Sequence, residues 1–109
     1  IIHGHSCHVP RGIEIIGGRP VIYAAGDFVD DYAVDELERN DQSAVFMVEV
    51  DDKRLARLQI HPTVIRRFQA QLAQGADAQD IGALLQRLSS YLGTPAFWYA
   101  KDRRLEIIL

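Results

Sequence analysis

Apolar positions along this chain fall into short β-branched runs, interrupted once by a stretch of helical spacing. Gly12-Ile13-Glu14-Ile15-Ile16 and Pro20-Val21-Ile22-Tyr23-Ala24 flank Gly17-Gly18. Two glycines between such runs predict a hairpin, because glycine reaches the positive φ that tight hairpin turns demand. Ser43 to Val50 reads as a strand, Asp51-Asp52-Lys53 as a turn, and Leu55 to His61 as the hairpin partner. Pro62, which has no N–H to donate, is expected to end that ladder. A helix is expected from Asp77, a good N-cap residue with Asp80 three positions on. Ile81, Leu84, Leu85, Leu88, Tyr91 and Leu92 then form its apolar stripe, and Gly93 with Pro95 supplies the stop. Residues 96–100 and 104–108 read as a last hairpin around Lys101-Asp102-Arg103. Asp30, Asp31, Asp35, Glu36 and Glu38 have few apolar anchors near them, so residues 30–43 are expected to form a mobile or partly helical loop.

Ile1-Ile2 reads as the end of a buried strand that delivers a loop at its C-terminal end, where open α/β sheets bind ligands. A strand so short cannot stand alone, which predicts that the 109 residues are the C-terminal part of a longer chain. The pattern therefore predicts an α/β segment, strand-rich with one long helix, in a single domain over residues 1–109.

Composition narrows the function classes. The net charge of −3 and the lack of a basic stripe interleaved with aromatics argue against a general nucleic-acid binder. The pairs Arg66-Arg67 and Arg103-Arg104 read as solvated edges. No apolar run reaches bilayer-spanning length. The single Cys7 excludes an internal disulfide.

The chemistry is concentrated in His3-Gly4-His5-Ser6-Cys7-His8. Imidazole is the commonest side-chain ligand for borderline metals, and ligands crowded on one loop converge on an ion at little ordering cost. A metal or phosphate site is the functional reading; a chance or tag-like cluster is the bland one. Asp27 could orient an imidazole from behind, or it could be part of a solvated turn. Glu14 reads as a hairpin residue, His61 as structural, and Tyr23, Tyr32 and Trp98 as packing groups. A Cys7-His8 hydrolase is disfavoured, because adjacent residues in an extended loop point apart.

Three segments together carry a family resemblance: Gly4-His5-Ser6-Cys7-His8-Val9-Pro10-Arg11-Gly12-Ile13-Glu14, Gly18-Arg19-Pro20-Val21-Ile22-Tyr23 and Gly26-Asp27-Phe28-Val29-Asp30-Asp31-Tyr32. In order and spacing they resemble the C-terminal half of CapA-type poly-gamma-glutamate capsule-biosynthesis proteins, of the calcineurin-like metallophosphatase superfamily. Pro62, Arg66-Arg67-Phe68, the helix and Leu92-Gly93-Thr94 extend the likeness over nearly the whole chain.

The resemblance implies a metallophosphatase-like β-sandwich flanked by helices. It also implies a hydrolase-type centre of two divalent ions, manganese, iron or zinc. His5 and His8 would be ligands, with His3 an accessory group. Asp27 stands where many relatives have Asn, and Cys7 where another small residue is usual. The superfamily draws its other ligands, an early Asp, a Gly-Asp and an Asn-His pair, from its N-terminal half, and none of these is in this chain. The chain alone is therefore expected to be inactive, and the anionic polymer or a phosphoester is the expected substrate of the whole protein.

A reading from a different class remains open: a small module that binds metal or a protein partner without catalysis. An exposed sheet edge would pair with the rest of the protein or with another copy of this chain. The resemblance is to bacterial proteins and leaves the compartment open between cytoplasm and cell envelope.

Overall fold

In the computed structural model, which describes residues 1–5, 7–28 and 39–109, the runs read above become two mixed or antiparallel sheets and one helix. The first sheet has the order β1-β3-β2, from β1 (Ile2–His3), β2 (Ile13–Ile16) and β3 (Arg19–Ile22). Gly17 and Gly18 both lie at positive φ, 56° and 76°, and close β2 onto β3 with Ile16 opposite Arg19. β1 runs parallel to β3, with Ile2 opposite Val21. Ile1 and Ile2 are exposed, 67% and 65%, so this strand end is not buried as expected: β3 covers one edge of β1, and no described element covers its faces.

The second sheet is built on a long hairpin of β4 (Gln42–Asp51) and β5 (Arg54–Arg66). β8 (Arg104–Ile107) lies beside β5 and β7 (Ala96–Tyr99) beside β8, while β6 (Gln69–Leu72) pairs with the far end of β5. Alternation sorts the side chains from Arg57 to His61, beyond which Pro62, Thr63 and Val64 are all buried. Leu58, Ile60, Pro62 and Val64 of β5 face inward with Leu105 and Ile107 of β8, whereas Arg57, Gln59 and His61 face outward.

Pro62 does not end the ladder: it pairs with Ala44, and β5 continues to Arg66. Its carbonyl accepts from Ala73 N at 2.9 Å, on the side away from β4. In an antiparallel strand the N and O of one residue point the same way. The missing N–H thus falls where β5 exchanges its neighbour β8, at Gln59 and Ile60, for β6, at Thr63 to Arg66, and no ladder bond is forfeited.

Helix α1 (Gly75–Tyr91) begins two residues before the expected cap. Gln74 is the N-cap residue and makes no side-chain cap bond; Asp77 sits in the first turn, ion-paired to Arg66. Its negative charge still complements the helix dipole there. The C-terminal stop is as expected. Gly93, at φ 75°, donates to Ser90 O at 2.9 Å and Thr94 N donates to Ser89 O at 2.9 Å, the paired bonds of a Schellman end.

The buried stripe is Ala78, Ile81, Gly82, Leu85 and Ser89, not the run of large residues through Tyr91 and Leu92. Tyr91 is 78% exposed. Gly82 is required because a Cβ there would sit 2.6 Å from the Trp98 ring, so the indole lies directly on the helix backbone. At the other end, Gly12 gives the helix equally close access to the first sheet: its Cβ would come within 2.8 Å of Leu88 backbone atoms.

Ser89 is fully buried, and its hydroxyl accepts the Ile13 N–H at 3.0 Å. Thr94 Oγ1 accepts the Ile15 N–H at 3.3 Å. These two amides point away from β3, so the end of α1 and the residues after it close the outer edge of β2. The core formed between sheets and helix is Ile13, Ile22, Leu58, Ile60, Ile81, Leu85 and Leu105 with smaller neighbours.

Among the described residues no helix is long and apolar enough to cross a membrane. Replacing Ser89 by Ala strands a buried amide, so unfolding in urea should show a loss of about 1–3 kcal/mol. Ser90→Ala, one residue on and exposed, should stay within about 0.5 kcal/mol of the parent.

Candidate metal-ligand loop

The histidine loop leaves β1 at the C-terminal end of β3 and is fastened there by backbone bonds. Gly4 N donates to Ile22 O at 2.7 Å and Arg11 N to Ala24 O at 2.9 Å, and Pro10 bridges to Ala25. Gly4 is compulsory, since a Cβ would lie 2.1 Å from Tyr23 O. The receiving segment is itself held from behind: Ser43 Oγ donates to Ala25 O at 2.6 Å, and Gly26 turns at φ 87° against Gln42 and Pro10. The loop therefore rests on β3 and β4 at both of its ends.

His8 and Asp27 meet on this platform. The Nδ1 of His8 is 3.0 Å from Asp27 Oδ1 and 3.1 Å from Oδ2. A carboxylate only accepts, so Nδ1 is the donor in this contact. His8 holds a left-handed backbone, φ 60°, which histidine adopts more readily than most residues. Asp27 is the more enclosed partner, with 18% of its side chain exposed against 55% for His8. His3 lies on β1 opposite Ile22, and His5 is exposed in the loop. Among the described residues, no three histidine, cysteine, aspartate or glutamate side chains gather into a set able to hold an ion. Asp30 and Asp31 lie outside the described residues.

Two neighbours of the loop were not legible beforehand. Tyr23 donates its hydroxyl to Glu14 Oε1 at 2.6 Å. Glu14 pairs with Val21, so Tyr23 sits diagonally across the hairpin, within reach of a long side chain. That bond to Glu14 raises the Tyr23 pKa above its ordinary 10.0, because ionisation would remove the donated proton beside a carboxylate. Cys7, Arg11, Tyr23, Leu88, Tyr91 and Leu92 line a shallow apolar groove of about 490 Å³ between the loop and the end of α1. Tyr91 and Leu92, expected in the core stripe, form one wall of it.

A raised pKa means that the folded state holds the Tyr23 proton more tightly than the unfolded chain does. The contribution to stability is complete below about pH 10 and is lost as pH rises through the folded value. Absorbance titration should show Tyr23 ionising above its ordinary 10.0, and Glu14→Gln should lower that midpoint. An unchanged midpoint in Glu14→Gln would contradict the assignment.

Residues 1–32 match the family model described as bacterial capsule synthesis protein PGA_cap. The chain is also 34% identical over 98 residues to proteins named probable polyglutamine synthesis accessory protein from two strains of Mycobacterium tuberculosis, CDC 1551 / Oshkosh and ATCC 25618 / H37Rv. Each alignment takes in 85% of this chain and 26% of the relative, so the chain spans about a quarter of the length of the curated relatives it matches. The matched segment, residues 1–32, contains the histidine loop, the first hairpin and Asp27. With most of the chain aligned as well, these matches bear out the resemblance drawn from the motifs: the chain is similar to PGA_cap capsule-synthesis proteins over residues 1–32 and to the polyglutamine synthesis accessory proteins over most of its length.

Proposed function

We propose that this chain supplies the histidine loop of a divalent-metal centre in a bacterial accessory protein of glutamate-polymer capsule synthesis. The observation that carries the reading is the His8–Asp27 contact on a loop fastened at both ends. A carboxylate on Nδ1 fixes the imidazole tautomer and ring plane and makes Nε2 a better donor. His8 is then the leading ligand, His5 on the same loop the second, and His3 an accessory group at the end of β1. Imidazoles of this kind suit manganese, iron or zinc.

The described donors fit such an ion only in part, since they do not form a closed set. Hard divalent ions want oxygen ligands as well, and in this reading these come from outside the chain. When bound, a pair of ions would polarise a phosphoryl group and acidify a water. The part played by this chain is to hold and orient imidazoles. The names of the relatives, which refer to capsule and polyglutamine synthesis, support placing this phosphatase-like chemistry in polymer production.

Elemental mass spectrometry of the purified chain, equilibrated with manganese, iron or zinc, tests the ligand assignment. Binding should be weak in the parent and absent in His5→Ala/His8→Ala. Asp27→Ala should lower affinity by about 10–100-fold, as loss of a partner behind a ligating histidine does. Equal metal content in all three proteins would remove the loop from the metal centre.

A further inference from the structure

The end of the molecule opposite the histidine loop carries a second candidate site. Gly17-Gly18 at the tip of the β2–β3 hairpin and Asp52-Lys53 at the tip of the β4–β5 hairpin face each other across a cleft of about 500 Å³. Gly18, Arg19, Asp52, Lys53, Arg54 and Leu55 line it. β3 runs from Arg19 at this cleft to Ile22, whose carbonyl holds the histidine loop. Three residue steps of about 3.3 Å separate the two places by roughly 10 Å along the strand. They are distinct sites.

The β4–β5 tip makes the same kind of left-handed turn, without glycine or asparagine, as Arg67–Phe68 does. Asp52 and Lys53 both hold left-handed backbones, φ 48° and 63°, where a tight turn would ordinarily use glycine or asparagine. A bulge between Glu49 and Val50 shifts the β4–β5 register just before the tip. Bulges re-aim the residues beyond them. Open space lies where side chains on Gly17 and Gly18 would be, so the first tip leaves the cleft clear.

The charges point to the ligand. Arg39, Arg57, Arg66 and Arg104 are each matched to a carboxylate. Among the described residues, no carboxylate pairs with Arg19, Lys53 or Arg54, nor with Arg11, Arg67, Arg87, Lys101 or Arg103; the first three are set apart by lining one cleft together. Those three cations line the cleft against the single acid Asp52, in a chain whose net charge is −3. Unmatched guanidinium and ammonium groups around a groove suit carboxylates, and three of them spaced along two hairpins suit carboxylates that repeat along a chain.

We infer that the cleft between the two hairpin tips binds successive carboxylates of an extended polyanion, a glutamate polymer, with Arg19, Lys53 and Arg54 as the contacting groups. The inference rests on the proposed role in polymer synthesis and assigns that role a polymer-holding surface away from the histidine loop.

Fluorescence anisotropy with a labelled glutamate oligomer tests it, using monomeric glutamate and a neutral dextran as competitors. Arg19→Gln/Lys53→Gln/Arg54→Gln should weaken oligomer binding by about tenfold or more and flatten its salt dependence. Arg87→Gln/Lys101→Gln/Arg103→Gln removes the same charge elsewhere and should change it less than about threefold. Melting curves of both variants establish that they are folded. Equal losses in both variants would reduce the effect to net charge, and unchanged binding in the first would empty the cleft of its role. Competition by monomeric glutamate as strong as by the oligomer would make it a small-carboxylate site and overturn the polymer assignment. Metal content of the cleft variant, read in parallel, separates the two ideas. Metal binding retained in the loop variants fails the proposed function, and polymer binding retained in the cleft variant fails this one.

Discussion

Everything in this molecule depends on how the outer edge of β2 is closed. An unpaired strand edge presents amides that must find acceptors or remain in water. Here Ser89 and Thr94, one in the last turn of α1 and one just past it, accept the Ile13 and Ile15 amides. Those two bonds join the small parallel-containing sheet to the helix, and the helix in turn packs against the five-stranded sheet through Ile81, Leu85 and the Gly82–Trp98 contact. Without the hydroxyl acceptors the first sheet would have no polar attachment along that edge, and the histidine loop stands on that sheet.

The same constraint explains the shape of the site. Because Gly12 lets the helix backbone approach closely, the C-terminal turn of α1 comes up beside the loop and leaves Tyr91 and Leu92 facing the groove instead of the core. Because the loop is bonded to Ile22 and Ala24 and backed by Ser43, His8 can be kept in a left-handed backbone beside Asp27. A loop held at both ends loses little further entropy when a ligand arrives. The two ends of β3 differ in chemistry: His8 meets Asp27 at one, and Arg19, Lys53 and Arg54 line a cleft at the other.

Much of the element order was legible from pattern. The glycine pair, the β-branched runs and the Gly93 stop each express a local rule, and the hairpin, β4, the β7–β8 pair and the helix end follow from them. The motif segments likewise led to the family, because their order and spacing are properties of the chain itself. β6 was not legible, because the Arg67–Phe68 turn adopts positive φ, 52° and 62°, without glycine or asparagine. Pro62 misled because its missing donor falls at a change of neighbour, which only the assembled sheet reveals.

The sequence by itself determined which residues were candidates for chemistry and most of the runs that became strands or helix, since those follow from side-chain type and period. Tertiary structure alone decided that His8 meets Asp27 across 19 positions and that two hairpin tips enclose Arg19, Lys53 and Arg54. It also decided that the helix buries Ser89 rather than Tyr91. The reason is common to all three. A periodic pattern reports which face of one element is apolar, whereas a contact between elements depends on where their backbones can approach and which polar groups would otherwise be left unpaired.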